Sequence, residues 1–312
     1  YFGQGAITNS GVVGEDNAVF GWLIKRPKMH DIPGTDVVLT GQNFKSGPIL
    51  PPVPAKVVTT GAFMPYGTET RPGQVVPGQM PATASIMRVR PEGGPVELVA
   101  WGTRNPFGLA FSPGGKLYAT DASFDNRGSR PIENAPDVLW QIRPGAWYGF
   151  PDFVGGMPVT NPRFRPQGKP QPQFLLAKHP GKVPRPAALF DPHSGSHGLD
   201  FSRSSAFGYA GQAFVAQMGD VTPATGVVRT PPGYKVVRVD PGSGRVVDFA
   251  VNRTRERGPA SKVGGGGLER PVDVQFDRTG REMYVLDFGV ITTPLIPNPR
   301  EGTGVLWRVR RG

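Results

Sequence analysis

Short apolar runs separated by glycine- and proline-rich turns make up most of this sequence. The segment NPFGLAFSPGGKLYATD (105–121) holds two such runs on either side of a Pro-Gly-Gly turn, and YKVVRVDPGSG (234–244) ends another run in a similar turn. Runs of this kind, rich in Val, Phe, Tyr and Leu and bounded by turn formers, predict β-strands. The pattern therefore predicts an all-β protein and excludes helix bundles and coiled coils.

The strand pattern repeats along the chain. VLWQIRPG (138–145) returns as VLWRVRRG (305–312), and the strands at 105–121 return at 270–287. A third copy, 197–244, lies between them. Each copy has a strand that ends in Phe, a turn, a second strand, a variable loop and a third strand, with a fourth strand where one is visible. Four antiparallel strands repeated around an axis are typical of a β-propeller, so we predict this fold.

The first and last predicted blades are incomplete. We assign 1–5, 85–90 and 96–102 as the second, third and fourth strands of the first blade, which then lacks its innermost strand. The last blade, which starts near Arg270, has no fourth strand. Because a propeller closes to protect its strand edges, we expect upstream strands to complete both blades. We therefore predict a single propeller domain over 1–312, with its N-terminal blades absent from this chain.

Long segments rich in proline and glycine interrupt the blades at 6–82, 122–137 and 150–195. In a propeller such insertions emerge as loops on one face or the other, where binding usually occurs. We interpret them as loops and not as separate domains.

Charge and composition narrow the classes of function. Lys and Arg number 35 against 24 for Asp and Glu, which gives a formal net charge of +11. The basic residues are spread along the chain, and Glu256 interrupts the densest stretch (253–258), so a basic solvated surface is favoured over a nucleic-acid interface. Without cysteine there is no disulfide, zinc-thiolate site or haem attachment motif. No apolar run approaches the length of a membrane span.

Several motifs resemble one family. GTRNPFGLAFSPGGKLYATD (102–121) and GAWYGFPDF (145–153) are similar to the RNPxG, LAF, GKLY and YGxPD series of the glucose/sorbosone dehydrogenases, and GLDFS, AFVAQMGD and RPVDVQFDRTG extend the likeness over most of the chain. The resemblance implies a six-bladed propeller with a pyrroloquinoline quinone (PQQ) cofactor and calcium. It also implies oxidation of an aldose or related sugar or aldehyde at the channel mouth, electron transfer to an external acceptor, and a periplasmic or secreted location.

Three residues match cofactor-binding positions of that family. Arg104 and Asn105 open one innermost strand, and Arg270 opens another. An arginine can hold a carboxylate or quinone oxygen with its forked donors, and an asparagine adds a neutral donor. The alternative is that Arg104 pairs with a neighbouring carboxylate while Asn105 only forms the turn before a proline. The second basic residue expected after Arg270 is replaced by Val272.

The candidate base and metal positions are less specific. His197 opens the remaining visible inner strand, although the family's catalytic histidine would fall upstream of Tyr1. Asp121, Ala122 and Asp137 are the candidate calcium positions, and the resemblance implies that backbone carbonyls supply many of the ligands. The alternative for each aspartate is to cap a turn or accept hydrogen bonds from backbone amides.

Three functions therefore stay open. The first is a quinone-dependent sugar dehydrogenase, whose partners would be the substrate and an electron-acceptor protein or a chain that completes the propeller. The second is a non-catalytic propeller that serves as a binding or scaffold module in a larger extracytoplasmic assembly, which Val138, Val272 and the proline-rich loops favour. The third is a lactonase-like hydrolase with a channel-bound metal. No nucleophile elbow supports serine hydrolysis.

Overall fold

The computed structural model describes residues 1–18, 21–47, 57–221, 231–254, 256–264, 266–292 and 297–311. The chain is nearly all β, with 35% of residues in strands and 5% in helices, which confirms the predicted class. Within the described ranges the helical elements are α1 (Trp22–Lys25), α2 (Ala260–Val263) and two 3-10 turns, Glu15–Asn17 and Pro162–Phe164. No helix in this part of the chain is long and apolar enough to cross a membrane.

The strands are short, and their bounds are as follows. In chain order they are β1 (Phe2–Gln4), β2 (Val37–Leu39), β3 (Asn43–Ser46), β4 (Val58–Gly61), β5 (Val75–Val76), β6 (Ser85–Arg88), β7 (Glu97–Trp101), β8 (Pro106–Phe111), β9 (Leu117–Asp121), β10 (Pro136–Gln141), β11 (Phe153–Val154), β12 (Met157–Pro158), β13 (Leu176–Lys178), β14 (Ala188–Pro192), β15 (Ser196–Phe201), β16 (Ala213–Gln217), β17 (Lys235–Asp240), β18 (Arg245–Ala250), β19 (Pro271–Phe276), β20 (Glu282–Asp287), β21 (Ile291–Thr292), β22 (Asn298–Pro299) and β23 (Val305–Arg310).

The chain divides into two compact units. Unit 1 consists of Tyr1–Pro106, Phe124–Ala135 and Arg143–Pro184, and unit 2 consists of Phe107–Ser123, Pro136–Ile142 and Arg185–Gly312. Parts of the insertion predicted at 6–82, namely 19–20 and 48–56, lie outside the described residues. The single-domain organisation and the number of blades stay predictions.

Unit 2 contains three sheets that follow the predicted repeat. Their strand orders are β8–β9–β10–β14, β15–β16–β17–β18 and β19–β20–β23. The first strands of these sheets approach closely at glycine. A Cβ atom at Gly108 would lie 2.5 Å from the carbonyl oxygen of His197, and one at Gly198 would lie 2.7 Å from the Cα of Asp273. Glycine is required at both positions because a side chain would collide with the backbone of the neighbouring first strand.

Strand β16, in the middle sheet of unit 2, is buried on both faces. In β16, Ala213 and Val215 join one apolar cluster with Phe201, whereas Phe214 and Ala216 join a second cluster. This division follows from the two-residue period of a strand. Each large side chain buried in this way contributes about 1.5–3 kcal/mol of hydrophobic free energy.

The sequence leaves the fourth strand of the first sheet in unit 2 unassigned, and the structure supplies it as β14. β14 pairs antiparallel with β10, with Leu189 opposite Val138. The segment that forms it lies inside the insertion predicted as a loop at 150–195. In the last sheet no fourth strand lies beyond β23 among the described residues, and Leu306 of β23 is 64% exposed.

Unit 1 combines the predicted first blade with small additional sheets. β1, β6 and β7 form an antiparallel sheet in the predicted order. The segments predicted as loops also contain strands here, which form the sheets β13–β2–β5, β3–β4 and β11–β12. Aromatic side chains fill the core of this unit: Phe150 meets Phe63 edge-on at 6.5 Å between ring centres and stacks on Phe124 at 5.8 Å.

Candidate functional site

The structure distributes the predicted site residues over both units. Unit 1 holds Arg104 and Asn105, and unit 2 holds Asp121, Ala122, Asp137, His197 and Arg270.

The backbone of Arg270 is fixed where β19 begins. Asp287, at the end of β20, is buried and accepts hydrogen bonds through Oδ1 from the backbone N–H of Arg270 at 2.7 Å and through Oδ2 from that of Glu269 at 2.7 Å. Pro271 lies directly opposite Asp287 in the register of the sheet. The acidic residue that ends the second strand therefore holds the residue before the first strand in place.

The Arg270 side chain is buried and anchored, with 3% of the residue exposed. Its Nη1 donates to the carbonyl oxygens of Met218 at 3.3 Å and Asp220 at 2.7 Å, and its guanidinium lies 5.1 Å from the ring centre of Tyr234. Nε is buried without a hydrogen-bond partner. In the part of the chain that the structure describes, no carboxylate forms an ion pair with this guanidinium. A buried cation without a counter-ion is costly, so this position favours an anionic ligand.

The ring of Tyr234 packs against the Arg270 guanidinium. Its hydroxyl donates to Asp220 Oδ2 at 2.9 Å, and burial together with the charge of Asp220 raises its pKa. The ring packs against Gly219, where a Cβ atom would lie 2.5 Å from the ring and where φ is +83°. Only glycine meets both requirements at this position.

Asp137 accepts hydrogen bonds from residues of unit 2 with both carboxylate oxygens. Oδ1 accepts from the backbone N–H of Ser123 at 3.0 Å, and Oδ2 accepts from Ser194 Oγ at 2.9 Å and the backbone N–H of Ser196 at 3.0 Å. Desolvation by burial raises its pKa. These contacts are those of the hydrogen-bonding alternative that the sequence left open.

The carboxylates of Asp121 and Asp137 have different hydrogen-bond partners. Val138 lies opposite Asp121 in the register, and Asp121 Oδ2 accepts from Trp140 Nε1 at 3.0 Å. Asp137 lies where the register of β10 shifts, between Pro136 and Val138. No group of three or more His, Asp or Glu side chains that could hold a metal occurs among the described residues. Calcium binding by Asp121, Ala122 and Asp137 stays a prediction.

His197 is the second residue of β15, and its backbone carbonyl accepts a hydrogen bond from Thr120 Oγ1. Its ring stacks on Phe107 with 3.9 Å between ring centres and an interplanar angle of 7°. Nδ1 is buried and has no hydrogen-bond partner among the residues that the structure describes. Burial lowers the pKa of His197 to about 4, so the ring is neutral at neutral pH.

Hydrogen bonds join the surroundings of Asp137 and Arg270 in unit 2, and His197 lies next to them in the chain. The backbone N–H of Met218 donates to the Gly195 carbonyl at 2.9 Å, and that of Gly219 donates to the Ser194 carbonyl at 2.8 Å. The loop that holds Asp137 is thereby bonded to the loop whose carbonyls hold Arg270, and His197 follows the Asp137-bound Ser196 in the chain. Asp137, His197 and Arg270 form the candidate site.

In unit 1, Arg104 pairs with a carboxylate. Its Nη2 lies 3.2 Å from Asp125 Oδ2 and 3.3 Å from Asn9 Oδ1. Asn105 lies against Gly5, where a Cβ atom would be 2.5 Å from Asn105 Oδ1. The geometry of Arg104 is that of the alternative stated above, and a cofactor role for Arg104 and Asn105 stays a prediction.

The sequence did not reveal the groups that hold Arg270. Two of them are backbone carbonyls, of Met218 and Asp220, and backbone ligands leave no residue-type signature. The third, Tyr234, stood within a strand motif and carried no separate signal. The AFVAQMGD motif marked the right segment without indicating its role.

The chain is similar to solved structures of sugar dehydrogenases, although it matches no profile of a known family and no curated protein. One is the holo PQQ domain of pyranose dehydrogenase from Coprinopsis cinerea, at 20% identity over 73% of this chain and 61% of that chain, with a TM-score of 0.47. A second is the PQQ-bound aldose sugar dehydrogenase from Streptomyces coelicolor, at 14% identity over 91% and 82%, with a TM-score of 0.43. A third is the soluble aldose sugar dehydrogenase from Escherichia coli, at 15% identity over 91% and 85%, with a TM-score of 0.42.

The names of these structures agree with the family resemblance that the motifs carry. The chain spans less than two thirds of the length of the first structures it matches, 61% for the Coprinopsis cinerea domain and 55% for a glucose dehydrogenase.

Proposed function

We propose that this chain takes part in the oxidation of an aldose, or of a related sugar or aldehyde, with PQQ as the cofactor and an external electron acceptor. The motif series from RNPFGLAF to YGFPDF supports the proposal, together with the surroundings of Arg270. The observation that carries it is the buried Arg270 guanidinium, which two carbonyls and a ring hold in place and which no described carboxylate neutralises.

Arg270 would hold an anionic oxygen of the cofactor. When bound, PQQ supplies a two-electron acceptor for the hydrogen that leaves the sugar carbon. The carbonyls of Met218 and Asp220 fix Nη1, and the Tyr234 ring lies under the guanidinium, so the charge is already in place before an anion arrives. Such preorganised charge stabilises developing negative charge more strongly than mobile water does.

His197 offers a neutral imidazole nitrogen beside the same loops. Its pKa of about 4 gives it little driving force to take a proton near neutral pH. We therefore assign His197 hydrogen bonding at this strand start and not removal of the substrate proton. The family resemblance implies a calcium ion as well.

From the family resemblance we also propose an extracytoplasmic location for the protein. Its partner would be either an electron-acceptor protein or a chain that completes the propeller.

Uptake of PQQ by the full chain, followed by its absorbance, tests the proposal. We expect Arg270→Gln to weaken uptake about tenfold or more, because a charge-assisted hydrogen bond is lost. Arg238→Gln is the matched control, since Arg238 also lies over a tyrosine ring of unit 2, at 4.4 Å from the centre of Tyr209. Dye-linked oxidation of an aldose by the PQQ-loaded protein is the second readout.

Two results would overturn the proposal. One is the absence of PQQ uptake by the unsubstituted chain at micromolar cofactor, and the other is equal uptake by Arg270→Gln and the unsubstituted chain. The second candidate, a non-catalytic binding module, is favoured by the engagement of Arg104 with Asp125 and of Asp121 with Trp140. It predicts binding of a partner or polysaccharide with neither PQQ uptake nor turnover.

A further inference from the structure

A histidine that the proposed function does not use lies within a cage of aromatic rings in unit 1. The His179 ring stacks on Trp147 at 5.3 Å between ring centres, with an interplanar angle of 17°. Phe153 and Phe174 meet it edge-on at 4.9 Å and 4.8 Å. His179 follows directly on the short strand β13, and the three rings around it hold its imidazole in place.

A buried carboxylate decides which ring nitrogen carries the hydrogen. Asp152 accepts hydrogen bonds from the backbone N–H groups of Leu175 at 2.8 Å and Leu176 at 2.9 Å, and from Arg130 Nη2 at 3.3 Å. His179 Nε2 lies 3.2 Å from Asp152 Oδ2. Because Asp152 accepts from two amides and a guanidinium, it is also the acceptor for His179 Nε2, and in the tautomer that carries its hydrogen on Nε2 the other nitrogen, Nδ1, is an acceptor.

His179 Nδ1 is available to a ligand. It makes no hydrogen bond with any residue that the structure describes, and it is not among the buried atoms that lack a partner, so it reaches solvent. The arrangement of carboxylate, oriented imidazole and accessible nitrogen is that of a histidine held ready for a donor or a cation.

The ring lines a pocket of about 700 Å³ whose lining residues all belong to unit 1. One wall is formed by 98–101 and another by 145–147, and Lys178, Lys182 and Asp36 also line the pocket. The volume falls within the range of about 300–1,000 Å³ that small-molecule sites occupy.

The charges in the pocket favour an anion. Lys178 and Lys182 stand on either side of His179 in the sequence, both are exposed, and neither forms an ion pair with a described residue. Asp36 is the single acidic residue among the described residues of the lining, and its Oδ1 already accepts from the backbone N–H of Gly78 at 2.8 Å. Two lysine side chains thus line the pocket together with one carboxylate that already accepts a hydrogen bond and with the His179 ring.

We propose that this pocket binds a hydroxylated carboxylate of the sugar-acid class, with its carboxylate on Lys178 and Lys182 and a hydroxyl group that donates to His179 Nδ1. The lysines account for the negative group, and the imidazole accounts for the hydroxyl. An uncharged sugar would leave the ammonium groups without a partner, and a simple carboxylate would leave Nδ1 without one. The site requires neither PQQ nor Arg270.

Binding of gluconate to the full chain without PQQ tests the site, with ligand-detected NMR and calorimetry as readouts. Glucose, which has hydroxyl groups but no carboxylate, and acetate, which has a carboxylate but no hydroxyl group, are the comparison ligands. We expect gluconate to bind at least about tenfold more tightly than either one, because each comparison ligand loses one set of contacts.

Substitution of the two exposed lysines is the decisive variant, because it leaves the core unchanged. Lys178→Ala with Lys182→Ala should weaken gluconate binding about tenfold. Lys169→Ala is the matched control, since Lys169 is exposed, belongs to the same unit and does not line the pocket. His179→Phe keeps an aromatic ring in the cage, removes the acceptor and should weaken gluconate binding but not acetate binding.

Three results would overturn the proposal: no gluconate binding at millimolar concentration, equal binding by the double lysine variant, or equal affinity for glucose and gluconate. If His179→Phe does not fold, gluconate binding by the double lysine variant still tests the proposal. Failure here leaves PQQ uptake untouched, so it is distinguishable from failure of the proposed dehydrogenase function.

Discussion

Arg130 in unit 1 and Arg270 in unit 2 are both 3% exposed and both donate to backbone carbonyls, but only Arg130 has a counter-ion among the described residues. Arg130 Nη1 donates to the carbonyls of Ser10 and Pro151, each at 3.0 Å, and its Nη2 lies 3.3 Å from Asp152 Oδ1. Burial lowers the pKa of Arg130 to about 10, and Asp152 opposes that shift. No carboxylate of the part of the chain that the structure describes pairs with the guanidinium of Arg270 in this way.

The histidines of the two regions differ in the same way. His179 donates to Asp152, whereas His197 stacks on Phe107 and its buried Nδ1 has no partner among the described residues. A carboxylate therefore meets both residue types in unit 1, and no described carboxylate pairs with Arg270 or His197 in unit 2. In unit 1 the carboxylate balances the charge of Arg130 and orients the His179 ring, so that only Nδ1 is left for a ligand, whereas in unit 2 the charge of Arg270 itself is left for a ligand.

Loss of Arg130 should have the largest effect on stability. Arg130→Gln strands the Asp152 carboxylate in the core without a cation, and we expect it to lower the free energy of unfolding by about 3–5 kcal/mol. Urea denaturation of the purified variant measures this loss. A loss below about 1 kcal/mol would mean that the buried Asp152 carboxylate is stable without the Arg130 guanidinium, which would contradict the role of Arg130 as its counter-ion.

The pH dependence of stability tests whether His197 lacks a partner. Its folded pKa of about 4 lies below the ordinary value of 6.5, so the unfolded chain takes up the proton first as the pH falls. Stability is then fully present above 6.5 and decreases as the pH falls towards 4, by at most about 3 kcal/mol. His197→Phe keeps the stacking on Phe107 and should lack this contribution.

The measurement for His197 is urea denaturation of both proteins at about pH 7 and about pH 4.5, where the unsubstituted chain should lose more stability than the variant. The subtraction removes the effect of groups that both proteins share, including Asp31 and Asp137, whose pKa values burial raises. An equal loss in the two proteins would show that His197 has a stabilising partner for its charged form.

The repeating strands could be predicted because each carries its own signal. Apolar runs between turns at 106–111, 117–121 and 136–141 marked β8, β9 and β10, and the repeat placed them in order. β14 could not be predicted because its five residues lie among prolines inside a long insertion. The strands of unit 1 at 37–39 and 75–76 are too short for a period of two to be recognised.

The predicted site residues could be located but not their partners. Arg270 stood out as the start of a strand, yet its contacts with Met218 and Asp220 are made to backbone carbonyls. The carboxylate that pairs with Arg130 lies 22 residues away, in another segment without a repeat, and no local pattern links the two. Long-range pairing in irregular loops depends on the folded backbone, which sequence periodicity does not encode.

Replacement of Arg270 should have the smallest effect on stability and so completes the comparison. Arg270→Gln removes hydrogen bonds to two carbonyls and the contact with Tyr234, but it strands no described carboxylate and removes a buried charge. We expect a loss of less than about 2 kcal/mol in the free energy of unfolding, because the lost contacts are offset by the relief of desolvation. Urea denaturation beside Arg130→Gln under the same conditions gives the difference. A loss as large as that of Arg130→Gln would require a counter-ion for Arg270 within the protein itself, and an anionic ligand would then no longer be needed to explain why this cation is buried.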